Sequence, residues 1–318
     1  MRALVLLNMG GPNSLDEVEL FLKNMFNDEN ILTIKNRLLR KFVAFLITNS
    51  RKSVAKKNYE LLGGKSPLNF HTKNLITKLS SYLPDVYITE AMRYTPPFAK
   101  DVIKELIKIK ADEVFLFPLY PHYSTTTTKS SLEDFYNTAK GYGFHARFFD
   151  IANFYTNRLY NEAVIEKIKK ALKDEDSKEF DLIFSAHSLP QKIIDRGDPY
   201  QIQLKEHIKI LKELLRQNGL EFNSIHLAYQ SKLGPIKWLE PSLEEKLKSL
   251  KNKRVVIYPI SFILDNSETD FELHIEYKEI AKRLGLDYRV CECVNDSDRF
   301  CEAIVEITQE TKNGWMHR

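Results

Sequence analysis

The 318-residue chain has few cysteines and no long apolar segment. Its three cysteines, Cys291, Cys293 and Cys301, form no CxxC pair, so the sequence predicts neither a disulfide framework nor a zinc site. No apolar run approaches the roughly 20 residues that a membrane-spanning helix needs, and the apolar part of the N-terminal MRALVLLNMGG is too short for a signal peptide. We therefore expect a cytoplasmic protein, either soluble or held at a membrane surface.

Net charge is low, but the charges are unevenly distributed. A formal net charge of +4 gives no argument for nucleic-acid binding, and we expect no nucleic-acid partner. Acidic residues are absent between Glu29 and Glu60. The same stretch contains eight basic residues: Lys35, Arg37, Arg40, Lys41, Arg51, Lys52, Lys56 and Lys57. Such a block attracts anionic lipid or an anionic ligand.

Short apolar runs typical of strands alternate with amphipathic stretches along the chain. The first set of predicted strands is ALVLLN (3–8), VYITEA (86–91), EVFLFPL (113–119) and ARFFDI (146–151). The second set is DLIFSA (181–186), SIHLAY (224–229), RVVIYPI (254–260) and DYRVCE (287–292). This alternation predicts an α/β protein with two similar doubly wound domains, each a four-stranded parallel sheet flanked by helices. We expect the first domain to be 1–125 with a C-terminal helix at about 297–312, and the second to be 126–296.

In such sheets ligands bind at the carboxyl ends of the strands, where this chain has unusual sequences such as NMGGPNS and PISFILDNSET. Neither candidate phosphate loop is convincing. LLGGKS (61–66) has Tyr59 where a P-loop needs its first glycine, and NMGGPNS lacks the GxGxxG spacing. We therefore do not expect nucleotide binding.

Two polar clusters follow strands of the second set. His187 ends one strand and is either a loop histidine bonded to backbone or part of an acid/base or metal site with the cluster that begins at Asp265. Glu268, Glu272 and Glu276 recur every fourth residue, so a helix would place three like charges on one face, where they repel. The stripe is either a solvated face or a set of carboxylates that holds a cation.

Four aromatic residues have two interpretations as well. Tyr59, Tyr94, Tyr123 and Trp238 are each compatible with ordinary core packing. Because Tyr94, Tyr123 and Trp238 follow strand ends or lie in a Gly- and Pro-flanked loop, they could instead line a site for a large, flat, apolar ligand.

Three blocks carry a family resemblance. LIFSAHSLPQKIIDRGDPY (182–200), YQSKLGPIKWLEP (229–241) and PISFILDNSETDFELHIEY (259–277) resemble successive signature blocks of ferrochelatases, in order and at similar spacing. LLNMGGPNSLDEVELFLKNMF (6–26), YELLGGKSPL (59–68), AMRYTPP (91–97) and LYPHYSTTT (119–127) extend the match over nearly the whole chain.

The resemblance implies two Rossmann-like domains of the chelatase fold with a porphyrin cleft between them. It also implies an enzyme, a lyase that inserts Fe2+ into protoporphyrin IX to give protohaem and two protons. The open alternatives are a chelatase for another tetrapyrrole or metal, such as coproporphyrin III or cobalt, and a non-catalytic tetrapyrrole or metal carrier.

By resemblance, His187 and Glu268 lie at the metal-insertion site and are the expected catalytic residues. Together with Glu272 and Glu276 they are also the expected metal ligands, with an auxiliary divalent cation at Glu272 and Glu276. The resemblance assigns porphyrin contacts to eight further residues, which are Met9, Arg51, Tyr59, Ser66, Arg93, Tyr94, Tyr123 and Trp238. Arginine suits porphyrin carboxylates because it can bind them with two hydrogen bonds.

The segment 31–52 corresponds to the lip of the cleft in this family. Its alternative is an ordinary helix packed on the first domain. We expect Phe42, Phe45, Leu46 and Ile47 to form an apolar lip, with basic neighbours that meet the inner face of the cytoplasmic membrane.

Two features set this chain apart from some ferrochelatases. Asn266 stands where some relatives have a second histidine. The C-terminus lacks the cysteine-rich tail that holds an iron-sulfur cluster in other members, and three cysteines are too few for four thiolates. The resemblance is therefore to the bacterial type without the cluster, and we expect no permanent cofactor, with Fe2+ as a substrate.

Overall fold

The computed structural model describes residues 1–232 and 234–316, which form two compact units. The first unit comprises the described residues of Met1–Asn153 and Ile304–Arg318, and the second those of Phe154–Ala303. This division differs from the predicted one at 125/126. The strand Arg147–Asp150 pairs with Glu113–Pro118 of the first sheet, so the first unit extends beyond that strand.

The first unit contains a parallel sheet of four strands, β1 (Arg2–Asn8), β2 (Val86–Met92), β3 (Glu113–Pro118) and β4 (Arg147–Asp150), in the order β2-β1-β3-β4. The helices around it are α1 (Glu17–Asn27), α2 (Arg37–Leu61), α3 (Leu68–Tyr82), α4 (Ala99–Lys108) and α5 (Ser130–Gly141). A π-helix, Thr125–Lys129, leads into α5. β1 is almost entirely buried, as expected for a central parallel strand covered on both faces.

The second unit repeats this arrangement with β5 (Asp181–His187), β6 (Ser224–Gln230), β7 (Arg254–Pro259) and β8 (Asp287–Val290), in the order β6-β5-β7-β8. Its helices are α6 (Arg158–Leu172), a 3-10 turn at Ser177–Glu179, α7 (Gln191–Asp195), α8 (Tyr200–Gln217), α9 (Leu243–Ser249) and α10 (Tyr277–Arg283). A second π-helix, Glu268–Glu276, precedes α10. The last helix, α11 (Asp298–Met316), begins in the second unit and continues into the first.

All eight predicted strands are present, each within two residues of its predicted ends, so the predicted fold class is confirmed. In the second sheet the pairing of β5 with β6 continues from Asp181 to His187, whereas its pairing with β7 ends at Ser185. His187 is thus the last residue of the central strand and has a strand neighbour on one side only. No helix among the described residues is both long and apolar enough to cross a membrane.

Candidate active site

His187 and Glu268 are in direct contact in the second unit. β5 ends at His187, and Glu268 is the first residue of the π-helix that follows the neighbouring strand β7. The imidazole Nδ1 lies 2.6 Å from Glu268 Oε2. Because Nδ1 faces a carboxylate, the neutral imidazole carries its proton there and has its lone pair on Nε2.

The two side chains shift each other's pKa. Burial disfavours the charge on His187, but the charge and hydrogen bond of Glu268 outweigh it and raise the pKa of His187. Burial likewise disfavours the charge on Glu268, yet His187 lowers the pKa of this carboxyl, with a smaller contribution from Ser231. The side chains of His187 and Glu268 are 37% and 20% exposed, so the pair remains accessible to solvent. Each side chain therefore stabilises the charged form of the other.

Ser231, the first residue after β6, bridges two glutamates of the π-helix. Its Oγ lies 2.9 Å from Glu268 Oε2 and 2.7 Å from Glu272 Oε2. Gln230 Nε2 donates to Glu272 Oε2 over 3.2 Å and to the Glu268 carbonyl over 3.1 Å. Burial, followed by the charge of Glu268, raises the pKa of Glu272 to about 8. Glu272 therefore holds a proton at neutral pH, and this proton relieves the repulsion expected between the two carboxylates.

The glutamate stripe is not uniform. Glu276, at the other end of the π-helix, is exposed. The i→i+5 hydrogen bonding of this helix includes the Tyr277 N–H donating to the Glu272 carbonyl. Within residues 1–232 and 234–316, no group of three or more His, Cys, Asp or Glu side chains is arranged to hold a metal ion. The stripe consists of two linked side chains and one that faces solvent.

Trp238 is positioned by the loop that follows His187. Pro190 and Trp238 form an isolated antiparallel bridge. The Gln191 N–H donates to the Lys237 carbonyl, and the Leu239 N–H donates to the Leu189 carbonyl. The loop after β5 therefore holds the half-buried Trp238 in the same unit as the His187–Glu268 pair.

The family model named Ferrochelatase matches residues 1–312. The chain belongs to the ferrochelatase family. A ferrochelatase from a Nitratiruptor species is 67% identical over 310 residues, which is 97% of this chain and 99% of that protein. Another, from Sulfurimonas denitrificans, is 53% identical over 310 residues, covering 96% and 97%. Membership makes the chain a metal-porphyrin chelatase, which is a lyase.

Solved structures of other chelatases share the fold. The structure of CbiX, described as the terminal enzyme for biosynthesis of siroheme in denitrifying bacteria, has a TM-score of 0.53 at 10% identity and covers 97% of this chain and 99% of CbiX. SirB from Bacillus subtilis with Fe3+ has a TM-score of 0.54 at 12% identity, covering 76% and 88%. At such identities the likeness concerns the fold alone.

Arg93, a porphyrin contact expected from the ferrochelatase resemblance, already has two acidic partners in the first unit. Its guanidinium lies 3.3 Å from Asp28 Oδ2 and 3.4 Å from Asp134 Oδ1. The buried Asp28 also accepts hydrogen bonds from Tyr94, over 2.9 Å, and from Ser130. Asp28, Arg93, Ser130 and Asp134 line a cavity of about 940 Å³ within this unit. Arg93 is thus neutralised internally, which the sequence pattern did not indicate.

The other predicted ferrochelatase contacts of the first unit differ in exposure. Tyr59 and Tyr94 are 6% and 2% exposed and pack in an apolar cluster with Phe21 and Phe26. Ser66 is buried, and its Oγ accepts from the Leu68 N–H at the start of α3. The side chains of Met9 and Tyr123 are partly exposed, and the side chain of Arg51 is exposed. The structure gives the two buried tyrosines a packing role, and their contact with porphyrin stays a prediction.

Several residues around His187 are not among the predicted site residues. Gln230 and Ser231 lie in the signature block 229–241, and Tyr200 lies in the block 182–200. The resemblance of these blocks did not indicate a role for the three individual residues. Gln230 and Ser231 lie at this site because β6 pairs with β5, and Tyr200 does because the first residue of α8 donates to the His187 carbonyl. Polar residues immediately after a predicted strand were the available signal for Ser231.

Proposed function

We propose that this chain inserts Fe2+ into protoporphyrin IX, giving protohaem and two protons, the terminal step of haem biosynthesis. The observation that carries the proposal is the contact between His187 and Glu268 at the carboxyl edge of the second sheet. Ferrochelatases that are 47–67% identical over nearly the full length support it.

Metal insertion requires two pyrrole N–H protons to leave and water to be removed from Fe2+. In our proposal His187 accepts one proton on Nε2, the nitrogen that does not face Glu268, and the other proton passes to solvent. Glu268 favours this step because its negative charge stabilises the imidazolium that forms, in line with the raised pKa of His187. A proton taken from the macrocycle is then held beside a carboxylate.

Glu268, Glu272 and Glu276 are proposed to guide the metal, together with His187. Carboxylate oxygens suit a hydrated divalent cation, and the exposed Glu276 is the member that such an ion would meet first. An auxiliary cation at Glu272 and Glu276 would have to displace the proton that Glu272 holds at neutral pH. Binding of the ion should therefore strengthen as pH rises.

Porphyrin carboxylates are proposed to bind Arg51, Ser66 and Arg93, with Met9, Tyr59, Tyr94, Tyr123 and Trp238 against the ring. Arg51 is exposed and thus available to a carboxylate. Arg93 can accept one only by sharing its guanidinium with Asp28 and Asp134 or by leaving one of them. We expect Arg51→Ala to weaken porphyrin binding more than Arg93→Ala does.

We also propose that α2 touches the inner face of the cytoplasmic membrane through the segment 31–52. Phe42, Phe45 and Leu46 are 59%, 61% and 51% exposed, whereas Ile47 packs on the apolar cluster beneath and is not part of this face. Phe42→Ser with Phe45→Ser should abolish cosedimentation with vesicles of phosphatidylglycerol at low salt. Val54→Ser, on the same helix but outside the segment, should not. A wild-type protein that stays in the supernatant would contradict the membrane contact.

An anaerobic assay tests the main proposal. With Fe2+ and protoporphyrin IX, porphyrin fluorescence should be lost and haem absorbance should appear. Turnover of this pair should be faster than turnover with coproporphyrin III in place of protoporphyrin IX or with Co2+ in place of Fe2+. His187→Ala should abolish turnover, whereas His226→Ala, which changes a histidine of β6 in the same unit, should not. Faster turnover of coproporphyrin III or Co2+ would favour another chelatase. Stoichiometric binding without turnover would indicate a carrier.

A further inference from the structure

Both backbone polar groups of His187 face the side where the sheet has ended. In a parallel sheet the N–H and C=O of one residue point to the same neighbouring strand, and those of the next residue point to the opposite one. The Ile260 N–H of the segment after β7 donates to the Ser185 carbonyl, and the Ser188 N–H donates to the carbonyl of Gln230, the last residue of β6. His187 therefore faces the β7 side, but the pairing of β5 with β7 stops at Ser185. Its N–H and C=O need partners from elsewhere.

Two side chains provide those partners. The His187 N–H donates to Ser261 Oγ over 3.1 Å, and the Tyr200 hydroxyl donates to the His187 carbonyl over 2.9 Å. Tyr200 and Ser261 are themselves 2.6 Å apart. Since the single proton of Tyr200 goes to the carbonyl, Ser261 must donate to Tyr200. The three groups form a closed ring in which every donor has one acceptor, and such a ring strengthens each of its hydrogen bonds.

The ring is anchored on two elements that do not carry His187. Tyr200 is the first residue of α8 and is 6% exposed, and its N–H donates to Asp198 Oδ1 over 3.0 Å. Burial raises the pKa of Tyr200, which favours the protonated hydroxyl that donates to the His187 carbonyl. Ser261 is the second residue after β7, in the segment that leads to Glu268.

We propose that Tyr200 and Ser261 are positioning residues for His187, which hold its backbone so that Nδ1 meets Glu268 and Nε2 faces the reacting porphyrin. Neither residue needs to touch a substrate. The inference rests on the proposed role of His187 in proton transfer, because only then does the placement of the imidazole affect turnover. A small displacement of a catalytic group from its productive position is sufficient to slow a reaction considerably.

The test combines Ser261→Ala and Tyr200→Phe with two matched controls. Ser177→Ala removes a buried serine hydroxyl that bonds backbone groups of Glu221, and Tyr155→Phe removes a tyrosine hydroxyl that bonds Glu206. Both controls lie in the second unit, and these hydrogen bonds do not involve His187. Because the two ring variants are made separately, failure of one to fold leaves the other as the test.

Two measurements decide the outcome. Histidine selectively labelled with 15N, with the signal of residue 187 identified by its absence in His187→Ala, reports the Nδ1–H hydrogen bond to Glu268 directly. Steady-state kinetics report kcat and both KM values. We expect each ring variant to shift the His187 signal and lower kcat about tenfold with KM values within twofold of wild type, whereas both controls leave the signal and kcat unchanged.

An unchanged His187 signal in the ring variants overturns the inference, and so does a shifted signal with wild-type kcat. Loss of stability alone would leave the imidazole signal of the folded protein in place. If the wild-type protein itself does not turn over, the proposed function fails, but the labelling experiment still shows whether the ring positions His187. The two failures are therefore distinguishable.

Discussion

Ser231 has two properties that two substitutions can separate. Its hydroxyl bridges Glu268 and Glu272, and its backbone φ of +66° lies in the left-handed region that favours glycine. Alanine removes the hydroxyl and keeps a Cβ in the unfavourable conformation. Glycine removes the hydroxyl and also relieves the conformational strain.

The magnitudes follow from these two terms. A hydrogen bond to a charged group contributes about 2 kcal/mol to stability, and the left-handed conformation costs a residue with a Cβ about 1 kcal/mol. Ser231→Ala should lower the free energy of unfolding by about 2 kcal/mol, and Ser231→Gly by about 1 kcal/mol. Turnover should fall by the same factor in both, about tenfold, because both lose the bridge that holds Glu268 beside Glu272.

Urea unfolding and the anaerobic insertion assay give the two rankings. The expected result is that the glycine variant is the more stable of the two but no more active. If turnover ranks the two variants in the same order as stability does, with the turnover of Ser231→Gly close to that of the wild type, the reasoning is refuted. Ser231 would then have only a structural role. Equal stability of the two variants would show that the left-handed backbone carries no strain.

Three further predictions concern other sites. His207 is wholly buried, and burial lowers its pKa in the folded protein to about 3. In the unfolded chain a histidine takes up a proton near pH 6.5. The free energy of unfolding that depends on the neutral imidazole is therefore present at pH 8 and is lost as pH falls below about 6.5. In urea titrations the free energy of unfolding of the wild type should fall by about 2 kcal/mol more between pH 8 and pH 5 than that of His207→Gln. Parallel pH profiles of the two proteins would contradict this. Glu272→Gln combined with Glu276→Gln should raise the apparent KM for Fe2+ several-fold in the insertion assay, and an unchanged KM would mean that neither side chain guides the metal. Asp28→Asn, at a buried ion pair, should lower the unfolding free energy by about 3 kcal/mol, whereas Asp134→Asn, whose side chain is 30% exposed, should cost less than about 1 kcal/mol. Equal costs would mean that burial does not control the strength of these pairs.

The strands could be predicted because central parallel strands are buried on both faces and therefore appear as continuous apolar runs. The boundary at 125/126 could not be derived in the same way. The segment ARFFDI (146–151), which contains β4, belongs to the first set of predicted strands. A boundary at 125/126 nevertheless puts it in the second domain, whereas β4 pairs with β3 of the first sheet. The pairing of β4 with β3 therefore places the domain edge after β4.

The site could be predicted in part. His187 and Glu268 end or follow strands that are neighbours, so their approach follows from the order of the sheet. The ring through Tyr200 and Ser261 could not be foreseen, because nothing in the sequence shows that the pairing of β5 with β7 stops before His187. Likewise, glutamates at every fourth residue are typical of one face of an α-helix. The pattern of apolar residues does not indicate that residues Glu268–Glu276 form a π-helix with i→i+5 hydrogen bonds.

The two units share a backbone plan but differ in the side chains at its strand and helix ends. Both sheets have equivalent strand orders, and in both a π-helix follows the third strand of the unit. The first strand of the first unit ends in Asn8 and its π-helix begins with Thr125, whereas the corresponding elements of the second unit end in His187 and begin with Glu268. One backbone plan thus occurs twice in a single polypeptide, once with an amide and a hydroxyl and once with an imidazole and a carboxylate. The first unit thus provides an internal comparison from which the contribution of the side chains can be separated from that of the shared backbone plan.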